Sequence, residues 1–218
     1  MNAEIVAVGS EMLTSERVDT NSLYLTAELN NLGVEVVSKY VIGDHVERLV
    51  SGVRLAMSRS QIVILSGGLG PTEDDLTRDA AALALDRKLI YHPDIADALE
   101  QRFARLNRKM AEINKRQAFV IEGATILPNE RGTAPGQWLE ESGVVLMLLP
   151  GPPHELRTMF EGHCLSRLAR IAMLELPEAE PVWRVDLDKF HQLVEEMEAR
   201  MPPLKPITPK EASDEAQS

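Results

Sequence analysis

The 218-residue chain predicts an α/β protein with a largely parallel sheet. Short apolar, β-branched runs alternate with segments of helical periodicity, the connections are short, and glycine-bearing turns follow the runs. Ala3 to Gly9 is an apolar run ending in glycine, the pattern of a buried strand. Asp19-Thr20-Asn21 offers capping side chains before Leu25, Leu29 and Leu32 at helical spacing, and Gly33 ends that helix. Val34 to Ile42 reads as a second strand. Val46, Leu49, Val50, Val53 and Met57 then form one helix face, with Asp44 and Glu47 set as a capping pair. Ile62 to Leu65 is a third strand, closed by Ser66-Gly67-Gly68.

Beyond it, Thr77 to Leu85 and Asp94 to about Leu106 carry apolar residues at helical intervals. Strands return at Thr125 to Leu127 and Gln137 to Leu139, and Val144 to Leu149 reads as a central strand stopped by Pro150-Gly-Pro-Pro153. His154 to Leu174 is helical in pattern. Residues 1–174 thus form one domain, and 175–218 an acidic, proline-bearing tail with one amphipathic helix at about 186–201. In parallel sheets ligands gather at the carboxyl ends of strands, so the loops after Val8, Ile42, Leu65 and Leu149 are expected to converge.

Composition narrows the function. The 23 basic and 34 acidic residues give a net charge of −11, which disfavours binding to a nucleic-acid backbone. The surplus is uneven, because from Glu175 to Ser218 acidic residues outnumber basic ones by 11 to 5. No apolar run approaches the ~20 residues that cross a bilayer, and the N-terminus lacks a signal-peptide pattern, so the expected address is cytoplasmic. The single cysteine, Cys164, and the five scattered histidines offer no metal-ligand spacing.

The segment most suited to chemistry is Ser66-Gly-Gly-Leu-Gly-Pro-Thr-Glu-Asp-Asp-Leu-Thr77. Its glycines let backbone N–H groups approach a phosphate, and a helix N-terminus follows. Asp74 and Asp75 would repel that phosphate without a cation between them, and magnesium commonly joins carboxylates to substrate phosphates. A glycine turn with dipole-stabilised acidic residues is the alternative reading. Asp44, after Gly43, reads either as a cap or as a carboxylate facing the same cavity as Asp75. The loop Asn129 to Gly136 presents Thr133 or is a plain hairpin connection. Glu155 falls in a helix's first turn, and Arg102 to Arg116 is a basic stretch ending in Asn114-Lys-Arg-Gln117.

Together, Gly9-Ser-Glu-Met-Leu13, Asp19-Thr-Asn21, Val41-Ile-Gly-Asp44, Ser66 to Thr77, Asn114 to Gln117, Gly132-Thr-Ala-Pro-Gly136 and Leu149 to Glu155 resemble the N-terminal domain of the CinA family. The resemblance implies a three-layer, MoaB/MogA-like molybdopterin-binding fold. It also implies divalent-metal-dependent hydrolysis of a nucleotide-sugar diphosphate such as ADP-ribose to AMP and ribose 5-phosphate. On it, Asp75 and Asp44 are the expected catalytic residues, and Asp75, Asp44 and Asp74 the expected ligands of magnesium or another divalent cation. Ser66, Gly67, Gly68, Gly70, Thr72, Asn21, Lys115, Arg116, Gly132, Thr133 and Gly151 are the expected contacts to a small phosphorylated nucleotide or pterin. A homo-oligomer is expected, and no nucleic-acid or membrane partner. The Ala-Glu-Ser-Cys-Thr segment of the family's nicotinamide mononucleotide deamidase is absent from these 218 residues, so that activity is not expected of them. Two other functions compete: molybdopterin binding or adenylylation, and a non-catalytic nucleotide- or pterin-binding module whose tail recruits a partner.

Overall fold

The computed structural model describes residues 1–175. The amphipathic helix expected at about 186–201 lies outside them. In chain order the elements are β1 (Asn2–Val8), α1 (Thr20–Asn31), β2 (Glu35–Ile42), α2 (Val46–Met57), β3 (Ile62–Ser66), α3 (Thr77–Ala84), β4 (Leu89–Tyr91), α4 (Pro93–Arg105), β5 (Phe119–Ile121), β6 (Thr125–Leu127), β7 (Gly136–Glu141), β8 (Val144–Leu149), α5 (Pro153–Met159) and α6 (Leu165–Glu175). Short 3-10 segments cover Ser10–Leu13 and Glu112–Ala118, and a π turn, Phe160–Cys164, joins α5 to α6.

The main sheet has the order β2-β1-β3-β8-β7-β6. Its first four strands are parallel, and β7 and β6 close one edge antiparallel. The central strands carry apolar side chains on both faces because helices cover both faces. Ile62, Ile64, Val145, Met147 and Leu149 pack with α1, α5 and α6 through Leu25, Leu29, Leu156 and Leu168. The alternate residues Val63, Leu65, Leu146 and Leu148 pack with α2 and α3 through Leu49, Val53, Ala80 and Ala81. The result is the expected three-layer α/β sandwich.

Several local expectations change. Asp44 does not cap α2, whose N-cap position is His45 without a side-chain hydrogen bond. Its carboxylate instead accepts from the backbone N–H of Ser10 (2.8 Å), and the Ser10 hydroxyl accepts from the N–H of Asp44 (3.0 Å). Asp19 does cap α1, accepting from the N–H of Ser22 (2.9 Å). The short antiparallel strands β4 and β5, one on each side of α4, fall outside the segments expected to be strands. Cys164 is fully buried in the π turn, and burial pushes its thiol up to about 12, so it is inert at neutral pH.

The sheet also sets the site. Ser66 pairs with Ala7 on β1 and with Leu149 on β8, so three parallel strands end side by side. β2 stands at the edge beyond β1, and the Ser10–Leu13 turn is held to its end by the Ser10–Asp44 bonds. The loop after Ile42 therefore does not reach the shared crevice.

Candidate phosphate-binding cleft

A cleft of about 580 Å³ opens where β1, β3 and β8 end. Its floor is the loop Ser66–Gly70, and its walls come from the start of α1, the Thr133–Ala134 segment and the Pro150–Pro153 turn. Asn21 ties these parts together: its Nδ2 donates to Ser66 Oγ (3.1 Å) and to the carbonyl of Gly151 (2.8 Å).

Four carbonyls of the glycine loop, those of Gly67 to Gly70, are tied to the start of α3. The Thr77 hydroxyl donates to the carbonyl of Gly67 (2.7 Å), and the Thr77 N–H to that of Gly68 (3.2 Å). The guanidinium of Arg78 donates to the carbonyls of Leu69 and Gly70. In a trans peptide the C=O of one residue and the N–H of the next point in opposite directions. Fixing the oxygens of Gly67 and Gly68 against α3 therefore turns the N–H groups of Gly68 and Leu69 the other way. The N–H of Gly67 is spent on the carbonyl of Leu149 (3.0 Å) and that of Gly70 on Asp75 (2.8 Å). Those of Gly68 and Leu69 have no acceptor among the described residues.

Glycine is required at two of these positions. Gly67 and Gly68 have φ of +104° and +65°; a Cβ would collide with the Val8 carbonyl at the first and the Thr77 hydroxyl at the second. Arg78 is 2% exposed, and burial draws its guanidinium down to about 10, against the opposing pull of Asp79 and Asp75. It remains a cation at neutral pH, set directly behind the loop.

Eight expected site residues line this cleft: Asn21, Ser66, Gly67, Gly68, Gly70, Asp75, Thr133 and Gly151. The others lie elsewhere. Thr72 donates its N–H (2.8 Å) and its hydroxyl (2.5 Å) to Asp75, as a clasp of the loop. Arg116 donates to the carbonyl of Thr72 (2.6 Å), bracing the loop from outside, and Lys115 pairs with Glu112 (2.8 Å). A Cβ at Gly132 would collide with the Glu155 carboxylate, so glycine there admits the glutamate to the wall.

The expected magnesium ligands do not converge. Asp44 is held by Ser10 and lies outside the cleft, Asp74 is exposed and outside it, and only Asp75 lines it. Among the described residues no group of three or more His, Cys, Asp or Glu side chains is arranged to hold a metal. The carboxylates of Glu11, Asp19 and Glu155 also line the cleft, with the guanidinium of Arg17.

Thr77 and Gln117 fall in segments singled out in the sequence without a site role of their own, and Arg78 and Arg17 are not singled out at all. An arginine among Thr77, Ala80 and Ala81 on an apolar helix face is a visible anomaly, but its carbonyl partners are not readable from spacing. Gln117 ends the basic stretch, is 2% exposed, and donates from Nε2 to Thr133 Oγ (3.1 Å).

A family model described as a probable molybdopterin binding domain matches residues 4–170. The chain is 71% identical over 171 residues to a CinA-like protein of Solibacter usitatus, covering 78% of this chain and 41% of that protein. It is 48% identical over 170 residues to a putative competence-damage inducible protein of Geobacillus kaustophilus, covering 78% and 41%. The chain thus spans about two-fifths of the length of these curated relatives. The crystal structure of CinA from Thermoplasma acidophilum, of unknown function, superimposes with a TM-score of 0.69 at 27% identity, over 74% of this chain and 94% of that one. A molybdopterin biosynthesis protein of Mycobacterium abscessus shares the fold, with a TM-score of 0.54 at 17% identity over 79% and 94%.

Proposed function

The chain belongs to the family of probable molybdopterin binding domains, among its CinA-like members, and from that premise we propose that its cleft binds a small phosphorylated pterin or nucleotide. The observation that carries this reading is the peptide orientation in Ser66–Gly70. Two outward N–H groups, at Gly68 and Leu69, stand over a buried guanidinium in a loop between a strand and a helix. Backbone donors that need no reorganisation are suited to phosphate oxygens, and a desolvated cation behind them adds a fixed positive potential.

The carboxylates qualify what can enter. A bare diphosphate beside Asp75 and Glu11 meets like charge, whereas a magnesium diphosphate does not, so the metal belongs to the ligand rather than to a protein cage. Hydrolysis of a nucleotide-sugar diphosphate such as ADP-ribose is the reaction proposed for such a complex. In it the loop holds the phosphate and Asp75 keeps the loop closed. Molybdopterin binding alone needs only the cradle.

Titration of the full chain with ADP-ribose, with magnesium or with EDTA, separates these readings when AMP and ribose 5-phosphate are measured in parallel. Binding with metal-dependent product supports hydrolysis, and binding without product leaves the ligand-binding domain. Absence of binding by both ADP-ribose and a pterin diphosphate overturns the proposal.

A further inference from the structure

Two acceptors in the cleft are left without partners. Asn21 Oδ1 and Gln117 Oε1 are buried side-chain oxygens with no hydrogen bond, the only such atoms among the described residues, and both residues line the same cleft. Neither arises from a loose side chain. Asn21 is fixed by two donations, one to a main-chain carbonyl that can only accept, so its amide orientation is determined. Gln117 is 2% exposed and fixed by its bond to Thr133. Buried acceptors without partners are rare because folding withholds them from water and returns nothing. Two in one cleft, one on a side chain bonded to Ser66 and one on a side chain bonded to Thr133, imply that the missing donors arrive from outside the chain.

We infer that Asn21 Oδ1 and Gln117 Oε1 form a donor-reading pair that selects a ligand presenting N–H or O–H groups beside its phosphate. The inference rests on the loop being a phosphate cradle and deepens it, since N–H groups capture any phosphate whereas carbonyl oxygens discriminate. A site built to hydrogen-bond a ligand donor rejects the analogue lacking it, because the site's own group is then left unpaired. The donors have two chemical sources, the amino edge of a pterin or purine ring and the hydroxyls of a sugar.

The test is a set of calorimetric titrations on the full chain in magnesium. The probes are inorganic pyrophosphate, ADP and hydroxymethylpterin diphosphate, with the desamino forms of the last two and 2′,3′-dideoxy-ADP. At least one organic diphosphate is expected to bind about tenfold or more tighter than pyrophosphate. That advantage should fall with the amino group if the ring is read, or with the hydroxyls if the sugar is. In Gln117→Leu the gap between the parent and its donor-deleted analogue should narrow severalfold, and the organic ligands should weaken more than pyrophosphate does. Gln117→Glu, which keeps an acceptor, should retain the discrimination. Analogues that bind the native chain as their parents do overturn the inference. So does a Gln117→Leu variant that keeps the discrimination, or one that weakens pyrophosphate as much as the organic ligands. Failure of the cradle reads differently: pyrophosphate does not bind, while the donor discrimination persists.

Discussion

Arg78 spends both terminal nitrogens on carbonyl oxygens rather than on a carboxylate, so its charge is left to act on the cleft in front of it. Replacing it by methionine keeps much of the volume but leaves the carbonyls of Leu69 and Gly70 unpaired, at about 1–3 kcal/mol each. Arg78→Met should lower stability by that order in urea unfolding and weaken pyrophosphate binding by about tenfold or more. Unchanged affinity in a folded Arg78→Met protein would remove the guanidinium from the cradle. Thr77→Val is the finer probe, since it deletes one hydroxyl and frees the peptide that aims the Gly68 N–H. It should cost about 1–2 kcal/mol and part of the pyrophosphate affinity, with Thr77→Ser restoring both. At this scale the sequence was partly legible. Three glycines after a buried strand are a local signature, and Ser66, Gly67 and Gly68 follow from it, whereas Asn21 is expected only through the family resemblance. Thr77 and Arg78 act through carbonyl directions, which no spacing encodes. Asp44 and Asp74 stand outside the cleft for different reasons: Asp44 follows the edge strand β2 and is held by Ser10, and Asp74, though next to Asp75 in sequence, is exposed to solvent.

Between elements, Glu4 shows how a buried carboxylate is held. It is 0% exposed on β1 and accepts from Arg59 (2.6 and 2.8 Å), from the Ser60 hydroxyl (2.8 Å) and from the Tyr40 hydroxyl on β2 (2.8 Å), linking the β1–β2 pair to the segment before β3. Burial pushes its carboxyl up, but the bonds to Arg59, Ser60 and Tyr40 outweigh that and leave it below the ordinary glutamate range. A carboxyl depressed in the folded state contributes stability above its unfolded pKa and loses it as the pH falls through the folded value. Urea midpoints of the native chain should therefore drop on acidification below about pH 4.5, and Glu4→Gln should reduce that slope while lowering stability at neutral pH. Equal slopes in the two proteins would show that other carboxylates carry the acid sensitivity. The elements themselves were legible in proportion to their length and burial. β8 was read to the residue because Val144–Leu149 is apolar throughout. The three-residue strands β4 and β5 carry too few side chains to set a period, and pairing with each other rather than local pattern defines them. The π turn at Phe160–Cys164 inserts itself into a pattern that reads as one uninterrupted helix.

At the scale of the described domain, two apolar cores share a single sheet, and the cleft lies where both meet. Strands β3 and β8 send alternate residues into each core, so neither core can open without stripping the same strands. The glycine loop leaves β3 toward the α3 core, while Asn21 reaches it from α1 in the other. This geometry predicts one cooperative unfolding unit rather than two. Leu25→Ala in the first core and Leu49→Ala in the second should each cost about 2–5 kcal/mol, because both side chains are fully buried. Their effects should add within about 0.5 kcal/mol, as they belong to separate cores on opposite faces of the sheet. Hydrogen exchange under mild urea should show the amides of α1 and α2 opening at one common free energy in the native chain and in both variants. Ligand linkage gives the same geometry a second reading. A saturating phosphate ligand at about 100 times its Kd should raise that common opening energy by roughly 2.7 kcal/mol, in α1 and α2 alike. Protection that rises in α3 and the glycine loop while α1 stays unchanged would mean that the cleft reports to one core alone, and that Asn21 does not couple the two.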